Sequence, residues 1–135
     1  MSLASIRSAM ETALAGISPA VAIAYENQAY SPVPGTPYQR VTLLTAEPDN
    51  REIGPGYTER GIFQVDLFYP EGTGPAAATA RAALIRSTFA YATELTSGGV
   101  KVNIIATPEI GAARADGDRF HVPVKIRWHS RIAGG

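Results

Sequence analysis

A short glycine-rich segment is the strongest candidate for ligand chemistry in the sequence. Residues 72–77 read Gly-Thr-Gly-Pro-Ala-Ala, which matches the G-x-G-x-x-A pattern of a phosphate-binding turn between a strand and a helix. Such a turn holds a pyrophosphate with backbone N–H groups, and Pro75 lacks one of these donors. No strand-borne acidic residue follows about twenty positions later, as that pattern requires. We therefore interpret the turn as structural.

The two histidines, His121 and His129, form a second candidate site, for a metal ion. They are an even number of residues apart and share one face of a strand, but eight strand residues span about 26 Å. One ion cannot bind both side chains, and the pattern places no carboxylate beside them on that face. We expect two histidines on a solvated or interface strand.

Nucleophilic and acid–base catalysis find equally little support. The chain has no cysteine, and Ser87 and Ser97 lack the flanking glycines of a nucleophile elbow. Glu59 and Asp66 have opposite parity on one predicted strand, so they do not face each other. A dispersed active site stays open at this stage. We expect a protein that is not an enzyme and uses no cofactor.

Composition restricts the partners. The 135 residues include 12 basic and 12 acidic side chains, so the chain has no net charge with which to attract nucleic acid or an anionic membrane. No run approaches the roughly 18 apolar residues of a membrane span, and the first residues do not resemble a signal peptide. We expect one globular domain over residues 1–135, made in the cytoplasm, with a flexible tail at 133–135.

The apolar periodicity predicts an α+β fold with the order helix, three strands, helix, three strands. Spacings of three and four put Leu3, Ile6, Met10 and Leu14 on one face of a first helix. An alanine-rich segment at 75–95 predicts the second, with Ala92 on its inner face, Arg81 pointing elsewhere and Gly98-Gly99 at its end. Alternation predicts strands at 21–26, 38–46, 57–69 and 100–106 and a last strand around 120–129, where Pro123 suggests an edge or a bulge. Between the last two lie a less regular stretch at 107–115 and a hairpin turn signal at Asp116-Gly117-Asp118. Hairpins account for most connections, so we expect an antiparallel-rich mixed β-sheet with two helices packed against it.

The last predicted strand carries a basic stripe on its polar face. Its members share one parity: His121, Lys125, Arg127, His129 and Arg131. The stripe could contact phosphates or pair with acidic residues of a neighbouring subunit, and the balanced net charge favours the second interpretation.

Two long loops, 27–37 and 47–56, are the remaining candidates for function, because loops of this length in compact domains are usually functional or disordered. We favour segments that order against a partner subunit over solvated connections. Together with nearby aromatic and basic positions they give the candidate subunit-interface residues, which are Tyr30, Pro32, Tyr38, Arg40, Ile53, Tyr57, Lys125, Arg127 and His129.

Two segments resemble patterns of a known protein family. Residues 25–32 read Tyr-Glu-Asn-Gln-Ala-Tyr-Ser-Pro and lead into Tyr-Gln-Arg-Val at 38–41. Residues 61–74, which begin Gly-Ile-Phe-Gln-Val-Asp-Leu, resemble a strand that ends in "P-x-G-x-G" before a long helix. With their order and spacing, they are similar to the phage tail terminator-like proteins over nearly the whole chain. Gln39 and Tyr30 depart from the commoner leucine and phenylalanine.

This resemblance implies a structural protein of the virion tail, assembled in the bacterial cytoplasm. Such a protein forms a ring, commonly a hexamer, that caps the tail tube, stops its polymerisation and offers a surface for joining the head. The implied partners are other copies of the chain, the tail tube protein and a head-completion or neck protein, with no specific nucleic-acid sequence and no membrane. Another neck or head–tail connector component is the alternative, and a small-ligand-binding bacterial domain is a third.

Overall fold

Two helices pack on one face of a mixed β-sheet in the computed structural model, which describes residues 2–50, 56–72 and 74–132. Helix α1 spans Ser2–Ala15 and α2 spans Ala76–Thr88. Ile6, Met10 and Leu14 recur on one face of α1 and are fully buried, as their spacing predicts. Leu3, predicted on the same face, is 41% exposed because it lies in the first turn.

The sheet has eight strands in the order β1-β2-β3-β8-β5-β4, and β6 and β7 also pair with β8. Only β1 and β2 are parallel, which confirms the antiparallel-rich mixed sheet and the α+β class. The strand bounds are Ala22–Ala24 (β1), Tyr38–Thr45 (β2), Tyr57–Pro70 (β3), Glu94–Ser97 (β4), Val100–Ile104 (β5), Glu109–Ile110 (β6), Arg114–Asp116 (β7) and Arg119–Ile132 (β8).

The β3–β8 pair forms the backbone of the sheet. All fourteen residues of each strand are paired, so the ladder is about 46 Å long at ordinary strand rise. Alternate side chains of both strands point towards the helices and form the core with those of α1 and α2. The buried strand residues on this side are Phe63, Val65, Leu67, Tyr69, Val122, Val124, Ile126 and Trp128.

The second helix is shorter than the sequence predicts. It ends at Thr88 rather than near residue 95, and β4 begins at Glu94, inside the range predicted as helix. Ala92, predicted on the inner face of the helix, is exposed and has a φ of 73°, which ends helical geometry. Gly98 and Gly99, predicted to end the helix, form the two-residue turn of the β4–β5 hairpin with φ of 56° and 77°.

The prediction that Pro123 marks an edge or bulged strand is wrong, because β8 lies in the middle of the sheet. Pro123 is paired with Asp66 of β3 on one side, and on the other its carbonyl accepts from Gly111 N at 2.8 Å. Gly111 lies between β6 and β7, so the nitrogen of Pro123 faces a gap between these two strands. Because no strand residue is paired there, the N–H group that proline lacks removes no hydrogen bond from the sheet.

Two predictions concern segments outside the described residues. The predicted flexible tail at 133–135 lies there, and so do residues 51–55 of the second long loop. The predicted Asp116-Gly117-Asp118 turn is confirmed, with Gly117 at a φ of 62° between β7 and β8.

Candidate subunit-interaction surface

The sheet face that carries no helix, here called the open face, collects most of the candidate interface residues. Antiparallel pairing places side chains of neighbouring strands in rows across this face. One row holds Thr42, Gln64 and Lys125, and the next holds Leu44, Ile62 and Arg127. His129 lies one row further, opposite Arg60 of β3. The basic stripe predicted on β8 is therefore continuous with polar and apolar positions of β2 and β3.

An aromatic stack lies at one end of the open face and packs against loop 27–37. The Tyr38 ring stacks on Phe68 at 4.8 Å between centroids, and Phe68 stacks on His121 at 4.7 Å. Tyr30 packs on the other side of Tyr38 at 5.1 Å. Tyr38 is thus buried as the support of the loop, while Tyr30 is only half-buried.

Arg119 fastens the same loop. Its guanidinium donates to the carbonyl oxygen of Thr36 and, at 2.8 Å, to that of Val33, and it lies 5.1 Å from the centre of the Tyr38 ring. Two hydrogen bonds from one planar guanidinium fix both the position and the orientation of the loop backbone, whereas a single bond would leave the orientation free. Arg119 itself is 6% exposed. This role could not be predicted from the sequence, because the hydrogen-bond acceptors of Arg119 are backbone atoms more than eighty residues away.

The expectation that both histidines lie at the surface, with no carboxylate beside them, is wrong for His121. His121 is buried, and its Nε2 lies 2.8 Å from Asp66 Oδ1. Arg114 donates to its Nδ1 at 3.4 Å, so the ring proton belongs on Nε2, which donates to the carboxylate. Gln64 also donates to Asp66. This network links β3, β7 and β8 through the buried His121 ring and holds the aromatic stack in place.

The predicted interface residues fall into separate groups. Tyr30 and Tyr38 are in contact at one end of the open face, with Pro32 exposed in the loop beside them. Tyr57 is half-buried at the opposite end of the β3–β8 ladder, paired with Ile132. Ile53 lies outside the described residues.

The basic candidates differ in their pairing. Arg40 is exposed on the open face, next to Asp66 in the register. Arg127 donates to Glu109 at 3.1 Å, whereas Lys125 and His129 make no ion pair within the part of the chain that the structure describes. Lys125 and His129 are therefore the stripe positions left available to a carboxylate from outside.

An apolar band crosses the open face and was missed as a group. Leu44, 46% exposed, lies beside Ile62 of β3, and Ile105, 40% exposed, follows on the far side of β8, where its N–H donates to the Arg127 carbonyl. Tyr91, 67% exposed, stands at the β4 end of the band. The signal was present in the sequence, since Ile62 falls on the polar side of the β3 alternation.

A carboxylate occupies the outer edge of β2. Glu26 Oε1 accepts from the backbone N–H of Leu43 at 2.8 Å and from Arg7 at 2.7 Å. These bonds, the backbone one first, lower the pKa of Glu26 from its usual 4.5. Nearby Glu11 responds in the opposite direction, because burial raises its pKa more than Arg7 lowers it.

Arg81 of α2 is buried, although its position in the helix predicts that it points away from the inner face. It is 3% exposed and donates to the Pro19 carbonyl at 2.6 Å. Burial lowers its pKa and raises that of neighbouring Tyr69. Its role is to tie α2 to the segment that follows α1.

Metal and membrane chemistry find no support in the described part of the chain. Within residues 2–50, 56–72 and 74–132, no three His, Asp or Glu side chains cluster so as to hold a metal ion. Neither described helix is long and apolar enough to cross a membrane.

Comparison with known proteins identifies the family of the chain. A family model described as "Phage tail terminator protein" matches residues 5–128. One solved structure that carries no functional name has a TM-score of 0.81 and 25% sequence identity, covering 100% of this chain and 99% of its own. A chain from the virion of a native gene transfer agent particle has a TM-score of 0.68 at 15% identity, covering 97% of this chain and 98% of its own. At 15% identity, the similarity to the gene transfer agent chain shows a shared fold and no more. No curated protein matches the chain.

Proposed function

Because the chain belongs to the phage tail terminator family and is a structural protein of phage tails, we propose that it caps the tail tube. Capping ends polymerisation of the tube, and the exposed side of the cap provides the surface that receives the head. The observation that carries this proposal is the family match, which extends from the first turns of α1 to Trp128 in β8.

A ring of copies, a hexamer by the family resemblance, is the form in which the chain would act. A ring subunit needs two different surfaces that meet head to tail, and one long sheet with distinct edges and faces supplies them. Its partners would be the tail tube protein on one side and a head-completion or neck protein on the other. Assembly in the bacterial cytoplasm and action without catalysis both follow from this role.

Candidate contacts lie on the open face. Arg40 and Lys125 offer positive charge to carboxylates of a neighbouring subunit, His129 offers a ring N–H donor, and Arg127 would have to exchange its bond to Glu109 to do the same. Loop 27–37 places Tyr30 and Pro32 at the end of this face. The zero net charge of the chain supports assembly, because identical subunits carry no overall repulsion.

Electron microscopy of tails made without this protein tests the proposal. We expect overlong tubes without heads, because nothing stops the addition of tube subunits. Normal-length tails that lack heads would contradict the capping role and support the alternative, a neck or connector component. Re-expressing the protein from a plasmid should restore the normal length, which controls for effects on neighbouring genes.

A further inference from the structure

Both outer edges of the sheet lack a strand partner along part of their length among the described residues. Strand β1 pairs with β2 only at Tyr38–Arg40, so among the described strands none pairs with the outer edge of residues 41–45. At the other end of the sheet, β4 is the last strand in the order. Open strand edges with unpaired N–H and C=O groups are templates for another strand.

The backbone hydrogen bonds within the sheet determine which N–H groups of the edge strands point outward. Ala46 N–H donates to the Arg60 carbonyl, so even-numbered residues of β2 bond to β3 and the N–H groups of Leu43 and Thr45 point away from the sheet. On β4, Ile104 N–H donates to the Thr93 carbonyl, which leaves the N–H of Thr96 pointing away from β5.

The edge of β2 is occupied by a removable group. The Glu26 carboxylate accepts from the Leu43 N–H at 2.8 Å, in the position that a carbonyl of an added strand would take. The Glu26 side chain is 38% exposed and its other partner, Arg7, is equally accessible, so the carboxylate can move aside without unfolding the chain. A side chain that covers an open edge is a known protection against uncontrolled pairing.

The two edges are complementary in shape. Beside the β2 edge lies a concavity of about 520 Å³, lined by residues 25–29 and 40–42. Beside the β4 edge stands Tyr91, 67% exposed on the turn that precedes the strand. A recess on one edge and a projecting aromatic ring on the other favour contact between unlike edges.

We propose that the β2 edge at residues 41–45 of one copy pairs with the β4 edge of a second copy, with Glu26 displaced from Leu43 as the strands meet. The contact joins unlike surfaces, so it repeats head to tail and closes into a ring or continues as a filament. Pairing of two β2 edges would bring two Glu26 carboxylates together, which like-charge repulsion disfavours. The inference rests on the proposed ring and names the surfaces that join its subunits.

Cysteine cross-linking tests the contact directly, because the natural chain has no cysteine. Strands β2 and β4 run in the same direction through the sheet, so a second copy that continues the sheet pairs them in parallel with like faces together. Thr42 and Leu44 of β2 and Glu94 and Thr96 of β4 project from the open face, so this pairing brings members of the two sets within disulfide reach. Single variants Thr42→Cys or Leu44→Cys are mixed in equal amounts with Glu94→Cys or Thr96→Cys at high protein concentration and oxidised. At least one of the four mixtures should give dimers that are almost entirely mixed.

Dimers of one variant with itself, or no dimers in any mixture, would overturn the proposal. Random collision between two variants in equal amounts would give only about half mixed dimers. The ratio of mixed dimers to dimers of one variant with itself therefore separates a specific contact from random collision. Thr79→Cys, on the exposed side of α2, is the matched control and should give no enriched pair with either edge.

A second pair of variants tests the role of Glu26. Glu26→Ala should raise the yield of mixed dimers about tenfold, because pairing then breaks no charge-assisted bond at Leu43. Glu11→Ala removes a carboxylate near the same concavity that does not touch the strand edge, and should leave the yield unchanged. An unchanged or reduced yield for Glu26→Ala would contradict the displacement.

The outcomes for the contact and for the proposed function are separable. Overlong tails without the protein, together with no mixed cross-link, would leave the capping role intact and remove this contact. Mixed cross-links together with normal-length, headless tails would retain the contact and remove the capping role.

Discussion

Replacing Arg119 should release loop 27–37 while the sheet stays folded. Arg119→Met keeps the length and apolar contacts of the side chain but removes both donors to Val33 and Thr36. Hydrogen bonds to charged groups contribute about 1.5–3 kcal/mol each, and the contact with Tyr38 adds about 0.5–1 kcal/mol. Val33 and Thr36 are exposed, so their carbonyls regain water, and we expect a net loss of about 2–3 kcal/mol of unfolding free energy.

Two measurements on the same sample check this value. Urea denaturation gives the loss of unfolding free energy, and amide hydrogen exchange reports the protection of each segment. Exchange should accelerate in loop 27–37 far more than in β3 and β8. Arg119→Lys retains the charge but lacks the planar fork, so it should recover no more than about half of the loss.

Arg60→Met is the control, because Arg60 is exposed and makes one bond, to the Glu47 carbonyl. Its loss should stay below about 1 kcal/mol. A change of less than about 0.5 kcal/mol for Arg119→Met, with unaltered exchange in the loop, would refute the idea that Arg119 holds the loop.

Three further substitutions follow from the structure. Gly61→Ala should cost about 3 kcal/mol in urea denaturation, because a Cβ there would overlap the Leu44 carbonyl oxygen. Asp66→Ala should cost about 2–3 kcal/mol by the same assay, since it leaves buried His121 without its acceptor. Glu26→Gln should flatten the pH dependence of the unfolding free energy below pH 4.5. The pKa of Glu26 is lower in the folded state than in the unfolded state, so the ionised carboxylate stabilises the fold fully above pH 4.5. This stabilisation is lost as the pH falls through the folded-state pKa, and glutamine removes it at every pH. Partial exposure limits that last effect to less than about 1 kcal/mol.

A control substitution for each of the three variants separates the stated physical cause from a nonspecific loss of stability. Gly16→Ala should be neutral within about 0.5 kcal/mol, because the nearest atom to its added Cβ lies at 3.5 Å. Asp66→Asn keeps an acceptor for His121 and should lose less than Asp66→Ala. Glu11→Gln should change the pH dependence with the opposite sign to Glu26→Gln, because burial raises the pKa of Glu11. Equal losses for Asp66→Asn and Asp66→Ala, or equal signs for the two glutamates, would contradict the assignments.

The long strands could be predicted from the sequence because one face of each is buried along most of its length. Phe63, Val65 and Leu67 alternate with polar residues, and Val124 and Ile126 do the same in β8. A shift of one residue would move every apolar side chain out of the core, so the pattern determines the face.

The end of α2 could not be predicted, because its continuation has the same apolar spacing as a helix. Phe89, Ala92 and Leu95 recur every three residues, yet only Phe89 is fully buried. Pairing of Leu95 with Val102 of β5 decides the conformation of this segment, and that partner is supplied by a hairpin that local spacing does not reveal.

The arrangement of the candidate interaction surface was predictable in part. The shared face of Lys125, Arg127 and His129 follows from their parity within one strand. The Asp66–His121 pair does not, because its members are 55 residues apart and the register between β3 and β8 sets their contact. For the same reason the bond between the Glu26 carboxylate and the Leu43 N–H at the β2 edge has no signature in the sequence.

The most direct test of the capping role is the length of tubes grown from purified tail tube protein with and without this chain. Substoichiometric amounts added during growth should shorten the tubes measured by electron microscopy, and a label on the chain should appear only at tube ends. Tubes of unchanged length, or label distributed along their sides, would contradict the account.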